Sequence, residues 1–371
     1  MIRLAKPSIS PAALENTSRV LASGQLVRGP MATQFEKEVA QRIGVEFAVS
    51  CSSGTMANWL LLNALQLPRN AKVAVPAFTF VGVANAVVFA GGIPVPVDVR
   101  PEDGAIDPQK MEELARSEDL WGAIIVDPFG FPVSFTPYEA VAEKHELILV
   151  EDAACAIGCK PPNGPRAGAR GAGAILSFHP RKPVTSGEGG MILTNDFETY
   201  ERCRLLTDHG FDPDLKTYVT PGFNGRMSDL AAAVGLDSLG RFEEEVEART
   251  RVLADYMSTL TASGADEFIQ LLLPEEGASW NVQSLVGILK TNAVDVSTLC
   301  QKARSEDIEL GGTAQYWPAL AGYESTPSDN HPVSEDFSAK TFALPMHGQL
   351  SSADVIHVME NIVKTMRSAA S

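Results

Sequence analysis

Between residues 36 and 200 the chain alternates two patterns of apolar spacing. Short unbroken apolar runs predict strands: "FAVS" (47–50), "KVAVP" (72–76), "IPVPVDV" (93–99), "GAIIVD" (122–127), "LILVED" (147–152), "GAILSF" (173–178) and "GMILT" (190–194). Helical segments such as 55–67 and 137–145 fill the gaps between them. Strands that are apolar on both faces and separated by helices predict an α/β fold with a largely parallel sheet covered on both sides. In such sheets ligands bind at the carboxyl ends of the strands, so the residues just past each run are where chemistry is sought.

After about residue 228 the pattern turns to long helix. The segment "SDLAAAVGLDSLGRFEEEVEARTRVLADYMSTL" is rich in helix formers and predicts a spine leading into a second, smaller domain. We place the boundary at 245/246: a large domain, 1–245, that includes the N-terminal segment, and a smaller C-terminal α/β domain, 246–371. The stretch 73–97 carries no charge over 25 residues, yet its three prolines and three glycines divide it into strand, helix and strand. It predicts a buried core rather than a membrane span.

Composition narrows the partners. Hydrophobic residues make up 45% of the 371 positions and charged residues 20%, which describes a folded globular chain. A formal net charge of −16 repels phosphate backbones and anionic membranes, so neither nucleic acid nor a membrane is expected as a partner. A few local cations can still receive a small anionic substrate. The cysteines (Cys51, Cys155, Cys159, Cys203 and Cys300) show no C-x-x-C spacing for zinc or redox work. Their odd number fits reduced thiols, and no metal is expected. The N-terminal "MIRLAKPSISPAALE" lacks the apolar core of a signal peptide, and with the thiols it points to a cytoplasmic protein.

Three features fall at predicted strand ends. "SCSSGTMAN" (50–58) passes from a strand through Ser53, Gly54 and Thr55 into a helix. Such serines and threonines are ordinary N-caps; a glycine there also lets a phosphate approach exposed N–H groups at a helix start. Asp152 in "LILVEDAACAIG" lies just past an apolar strand. It could be a cap or a salt-bridge partner, or a carboxylate holding a protonated ring nitrogen. Lys182 follows "GAILSF" in "SFHPRKPVTSGEGG". It reads as a surface lysine or, with its amine deprotonated, as a Schiff-base former. Phosphate cradle, ring-nitrogen carboxylate and Schiff-base lysine are together the parts that pyridoxal phosphate (PLP) requires.

On these residues the chain resembles the DegT/StrS family of PLP-dependent sugar aminotransferases, of fold-type I. The likeness runs from "SGQLVRGPMATQFEKEVAQRIG" (23–44) through "VPAFTFVGVANAVVFAGGIPVPVDV", "VEDAACAIG" and "SFHPRKPVTSGEGGMILTND" to "GFNGRMSDLAAAVGL" (222–236). It is looser at "YWPAL" (316–320) and "LPMHGQL" (344–350). The SFH-x-x-K…GEGG segment is its most specific piece.

The resemblance implies a mostly parallel mixed sheet covered by helices. It makes Lys182 the Schiff-base lysine and Asp152 the partner of the pyridine nitrogen, with Ser53, Gly54, Thr55 and Ser177 around the phosphate. Phe80 would stack on the cofactor ring, although plain core packing predicts the same residue. Asn224 would reach the phosphate of a neighbouring subunit, which implies a homodimer with shared sites; Ser228 and Asp229 are the better-placed caps for the helix that follows. Two positions depart from the family pattern. Cys155 stands where a polar residue, often glutamine, lies against the cofactor, and Gly225 where tyrosine is common. The implied reaction moves an amino group from an amino acid, glutamate, to a keto sugar linked to a nucleotide. The alternatives are a keto-cyclitol acceptor, a sugar dehydratase and a non-catalytic regulatory homologue. Dehydratases on this scaffold carry histidine at the Schiff-base position, whereas here Lys182 is present and His179 is a separate residue.

Overall fold

Each apolar run becomes a strand, buried on both faces except at the sheet edge, where Ile93 of the run 93–97 is exposed. The computed structural model describes residues 1–323 and 331–370. The first eight strands are β1 (Phe47–Cys51), β2 (Lys72–Pro76), β3 (Phe78–Thr79), β4 (Ile93–Val97), β5 (Leu120–Val126), β6 (Ile148–Asp152), β7 (Gly173–Ser177) and β8 (Gly190–Thr194). All but β3 join one sheet in the order β1-β8-β7-β6-β5-β2-β4. Neighbours from β7 through β4 pair in parallel, and β8 runs antiparallel to both β7 and β1. The sheet is therefore mixed and mostly parallel, as the sequence pattern predicts.

Alternation along the strands explains why no polar face survives. Ile124, Val150, Ile175 and Ile192 point to one side, where they meet Leu60, Leu61, Val83 and Val87. On the other side Ala74, Ala123, Ile125 and Leu149 meet Met111 and Tyr138, while Ala174, Leu176 and Leu193 meet Phe35, Ile43 and Leu239. The uncharged stretch resolves into β2, β3, a helix at Gly82–Phe89, and β4. Among the described residues no helix is long and apolar enough to cross a membrane.

The predicted spine is two helices rather than one. Asp229–Gly240 and Phe242–Ala262 meet at Arg241, whose backbone leaves the helical region at φ −107°, ψ 15°. Gly240 carries a weak helix propensity at the break. The Arg241 guanidinium is held there by Asp237 Oδ2 (2.8 Å) and the Ser8 carbonyl (2.8 Å). Ser228 caps the first of these helices, accepting from Ala231 N–H (3.2 Å). Asp229 does not share that task. Its carboxylate accepts from the N–H groups of Gly29 (2.7 Å), Ala32 (3.2 Å) and Met31 (3.3 Å), so it caps the helix Pro30–Ile43. That helix needs an outside cap because its own N-cap residue is Gly29.

Two short strands, β9 (Phe211–Asp212) and β10 (Thr217–Tyr218), form a small ribbon. The C-terminal part adds β11 (Ile269–Leu272), β12 (Leu285–Leu289), β13 (Gly311–Gly312), β14 (Gln315–Tyr316) and β15 (Thr341–Leu344). Four of them make an antiparallel sheet, β11-β12-β15-β13. It shares a core with Tyr256, Leu299, Met359 and Ile362. The N-terminal residues join this second core: Ile2 packs against it and bridges to Ile308, and Leu4 N–H donates to Glu309 (3.1 Å). The fifth strand, β14, pairs instead with β3, and Trp317 Nε1 donates to the Pro76 carbonyl (2.7 Å). The second unit is thus sewn to the end of β2, beside Phe80.

Asp229→Ala strands three N–H groups at once. It is expected to lower the unfolding free energy by about 2 kcal/mol and to bring the urea midpoint down accordingly. Asp229→Asn keeps one acceptor oxygen and should lose about half of that. An unchanged midpoint in Asp229→Ala would show that the contact does not carry the helix.

Candidate active site

The parallel sheet brings several strand ends to one edge. β1 ends where the helix Gly54–Ala64 begins, and Ser53 caps it, its Oγ accepting from Met56 N–H (3.1 Å). The cap reading of Ser53 therefore holds. The first N–H groups of the helix have no partner within it and point outward at the positive end of its dipole. A Cβ added to Gly54 would lie 2.9 Å from Ser177 Cβ, so the helix start and the end of β7 are pressed together there. Gly190, opposite Ser177 in β8, shows the same crowding: its Cβ would stand 2.2 Å from the Ser53 carbonyl oxygen. Gly82 completes the cradle, since a Cβ there would meet the Phe80 ring (2.5 Å) and Thr55 Oγ1 (2.7 Å). Phe80 is 62% exposed, which rules out plain core packing.

Asp152 ends β6 and is 4% exposed. Its Oδ2 accepts from Asn58 Nδ2 (2.7 Å) and its Oδ1 from Ala154 N–H (3.1 Å). Burial pushes its pKa up; the two hydrogen bonds and the Lys182 charge pull back without cancelling that. Lys182 is half-buried in the β7–β8 loop, and its Nζ lies 2.8 Å from Cys155 Sγ. Cys155 in turn is anchored through its carbonyl, which accepts from Asn281 Nδ2 (3.0 Å).

Beneath the carboxylate lies a second charged group. Arg170, fully buried in its side chain, bonds Asp127 Oδ2 (2.5 Å) and Glu151 Oε1 (2.5 Å), and it stacks on the Phe135 ring at 4.6 Å. Burial, reinforced by the Asp127 charge, pushes Glu151 up to about 8 despite Arg170. Asp127 N–H also donates to the Asp152 carbonyl (3.0 Å), so this group fixes the backbone of β6 at its end.

The structure thus gathers Ser53, Gly54, Thr55, Phe80 and Ser177 around the start of one helix, and Asp152, Cys155 and Lys182 at the end of β6. Asn224 is not brought to them. It is exposed, and its Oδ1 accepts from Arg226 Nε (3.1 Å). Its neighbour Gly225 does touch the cradle's flank, accepting from Ser52 N–H (2.8 Å). Sequence reasoning missed Asn58, Arg170 and Asn281. Asn58 left a trace: it is a polar residue in an apolar helix, four positions after Gly54.

The donor set suits PLP: outward N–H groups and hydroxyls in a cradle too tight for a Cβ, an exposed ring, a buried carboxylate and an amine. The fold and this set of groups suit a PLP-dependent enzyme, and the family match makes it an aminotransferase. The chain belongs to the DegT/DnrJ/EryC1/StrS aminotransferase family, whose model matches residues 7–363. It is 31% identical over 344 residues to the UDP-2-acetamido-2-deoxy-3-oxo-D-glucuronate aminotransferase of Pseudomonas aeruginosa, covering 91% of each chain. It is 37% identical over 238 residues to the GDP-perosamine synthase of Caulobacter vibrioides, a match that spans 64% of this chain and 63% of that one. The crystal structure of DesI, solved in the presence of its TDP-sugar product, superposes with a TM-score of 0.90 at 27% identity, over 100% of this chain and 94% of that one.

Gly54→Ala tests the cradle. The added methyl must push Ser177 away, so PLP affinity measured by equilibrium titration should fall at least about tenfold while the circular dichroism spectrum stays folded. Wild-type affinity in that variant would mean that this close approach plays no part in binding.

Proposed function

We propose that this enzyme transfers an amino group from an amino acid, L-glutamate, to a keto sugar carried on a nucleotide, in amino-sugar biosynthesis. The observation that carries the reading is the Lys182–Cys155–Asp152 group beside the Gly54 cradle, on a chain whose relatives include a GDP-perosamine synthase, an aminotransferase of a UDP-linked oxo sugar and a protein solved with its TDP-sugar product. Those relatives differ in the nucleotide, so the base is left open.

When bound, PLP supplies a ring that withdraws electrons from the substrate carbon bearing nitrogen. The chain's own residues do the rest. In this reading Gly54 and Thr55 N–H groups, with Ser53 and Ser177, hold the phosphate, and Phe80 covers a ring face. Asp152 holds the proton on the pyridine nitrogen. Lys182 takes a proton from the donor's α-carbon and later delivers one to the sugar carbon, general acid–base work commonly worth about 10²–10⁴-fold. Cys155 sits against the lysine, its Sγ within reach of Nζ.

We further propose a homodimer, with Asn224 donating to the partner's phosphate. An apolar surface beside the site supports it: Phe89 is 75% exposed and Phe223 54%, with Trp59 between them, its ring 6.0 Å from that of Phe223. Such a contiguous patch is normally covered. The division at 245/246 is part of the same reading, supported by the separate C-terminal core that starts at Val252. So is a cytoplasmic setting, which the five free thiols suit.

Borohydride reduction of the loaded enzyme should fix the cofactor on Lys182, and Lys182→Ala should abolish formation of 2-oxoglutarate from glutamate and a nucleotide-linked keto sugar. A label mapped to another lysine sinks the site assignment; failure of every nucleotide-linked keto sugar tried, with turnover of a free keto-cyclitol, sinks the acceptor.

Mixing Lys182→Ala with Asn224→Asp subunits tests the shared site. Asn224→Asp sets a negative charge against the phosphate it reaches. If that phosphate lies across the interface, a mixed dimer has one site with both lesions and one with neither. Activity should return to about a quarter of wild type for random pairing. If Asn224→Asp is inactive alone and verified mixed dimers stay inactive, each site is built from one chain.

A further inference from the structure

One helix touches both groups of site residues, Ser177 through Gly54 and Asp152 through Asn58. Gly54 opens it at the cradle, and Asn58, four residues on, lies on the same helical face one turn deeper. Asn58 is 2% exposed in a helix otherwise lined by Ala57, Leu60, Leu61 and Leu62. A buried amide among apolar side chains is unfavourable unless it is hydrogen-bonded. Its Nδ2 donates to Asp152 Oδ2 (2.7 Å), and its Oδ1 has no hydrogen-bond partner among the described residues. Half of the amide's bonding capacity is left unused, so the packing is not explained by satisfying Asn58 itself. It is explained by what Asn58 does to Asp152.

We infer that Asn58 is a positioning residue for Asp152: its N–H holds one carboxylate oxygen in the ionised state and fixes the plane in which the carboxylate faces the cleft. This rests on the reading of Asp152 as the partner of the pyridine nitrogen. An N–H donor bonds a carboxylate and cannot bond the hydroxyl hydrogen of a neutral acid, so the contact favours the charged form. Burial works against that form, and Asn58 is the foremost of the groups that oppose it; Ala154 N–H and the Lys182 charge help, while Asp127 adds to the burial effect. Glu151 lies on the opposite face of β6, with Arg170. Because the helix that starts at the cradle also carries Asn58, the phosphate anchor and the carboxylate are set in register by one rigid element rather than by two independent loops.

The test is a double-mutant cycle on purified holoenzyme, with two readouts: the dissociation constant for PLP and the pH dependence of the bound cofactor's absorbance. Asn58→Leu keeps the branched shape and removes the donor; Asn58→Ser keeps a donor in a smaller side chain and guards against a packing artefact. Asn58→Leu should weaken PLP binding about tenfold or more and move the midpoint of the absorbance titration, with Asn58→Ser intermediate on both. In an Asp152→Asn background the same Asn58→Leu change should have little further effect, because its route is already cut. Equal losses in both backgrounds, or a titration midpoint that does not move, would overturn the positioning role and leave Asn58 as packing. If Asp152→Asn itself keeps the wild-type affinity and titration, the reading of Asp152 falls, and this inference falls with it. A collapse of Asp152→Asn beside a silent Asn58→Leu removes only the present inference.

Discussion

A carboxylate must be kept buried at the end of β6, and the site is arranged around that requirement. Burying a charge without compensation is strongly unfavourable, and Asp152 is nearly sealed from solvent. The compensation comes from three directions: Asn58 from a helix, Ala154 N–H from the turn after the strand, and the Lys182 charge from across the cleft. Each sits on an element that the sheet itself positions. A parallel sheet delivers this convergence without special folding of the loops, because β6 and β7 end at the same edge and β1, two places further on, starts its helix there. The carboxylate thus has its balancing groups even in the free chain, and any cation brought into the cleft adds to them.

The Arg170 group extends the same logic one layer down. Residues 151 and 152 are consecutive acids on opposite faces of one strand, and each needs a different solution. Glu151 shares the Arg170 guanidinium with Asp127, so two carboxylates compete for one cation, and burial drives Glu151 toward its neutral form. Asp152 instead meets neutral donors and one amine. The division allows Glu151 to act as part of the frame while Asp152 faces the cleft. The backbone bond from Asp127 to the Asp152 carbonyl links the two arrangements.

Much of this was legible in the chain because the signals were local. The runs 72–76 and 190–194 became strands with the predicted bounds, and Ser53, Gly54, Ser177, Asp152 and Lys182 fell at strand ends, where period and punctuation had put them. Signals that depend on distant partners were not legible. Asp229 reads as a cap for its own helix, since sequence offers no hint that Gly29, two hundred positions away, leaves another helix open. The spine reads as continuous, because one glycine inside a strongly helical run is outvoted by its neighbours until Arg241 finds partners in Asp237 and Ser8. Asn58 fell between: its oddity was visible, but its partner is 94 residues on. Phe80 was ambiguous for a different reason, since stacking and core packing demand the same side chain and only its exposure separates them.

The remaining matter is how a chain with a net charge of −16 admits an anionic ligand. Net charge sets the distant field, while the ligand meets the local one. At the flank of the cradle, Arg28 and Arg226 both bind Asp208, and Arg204 pairs with Glu36, which also accepts from Ser50 N–H (2.8 Å). Three guanidinium groups there share the Asp208 and Glu36 carboxylates, so positive charge is gathered beside residues 50–53 on an acidic molecule. The crowding is felt by the cations themselves: burial, with the adjacent Arg204 next in weight, lowers the Arg28 pKa. Cations held close together in partial burial are relieved by any anion that approaches. The helix start at Gly54 offers its outward N–H groups in the same neighbourhood. Fixed carboxylates hold these arginines in place, so the acidic residues near the helix start are part of what keeps positive charge there.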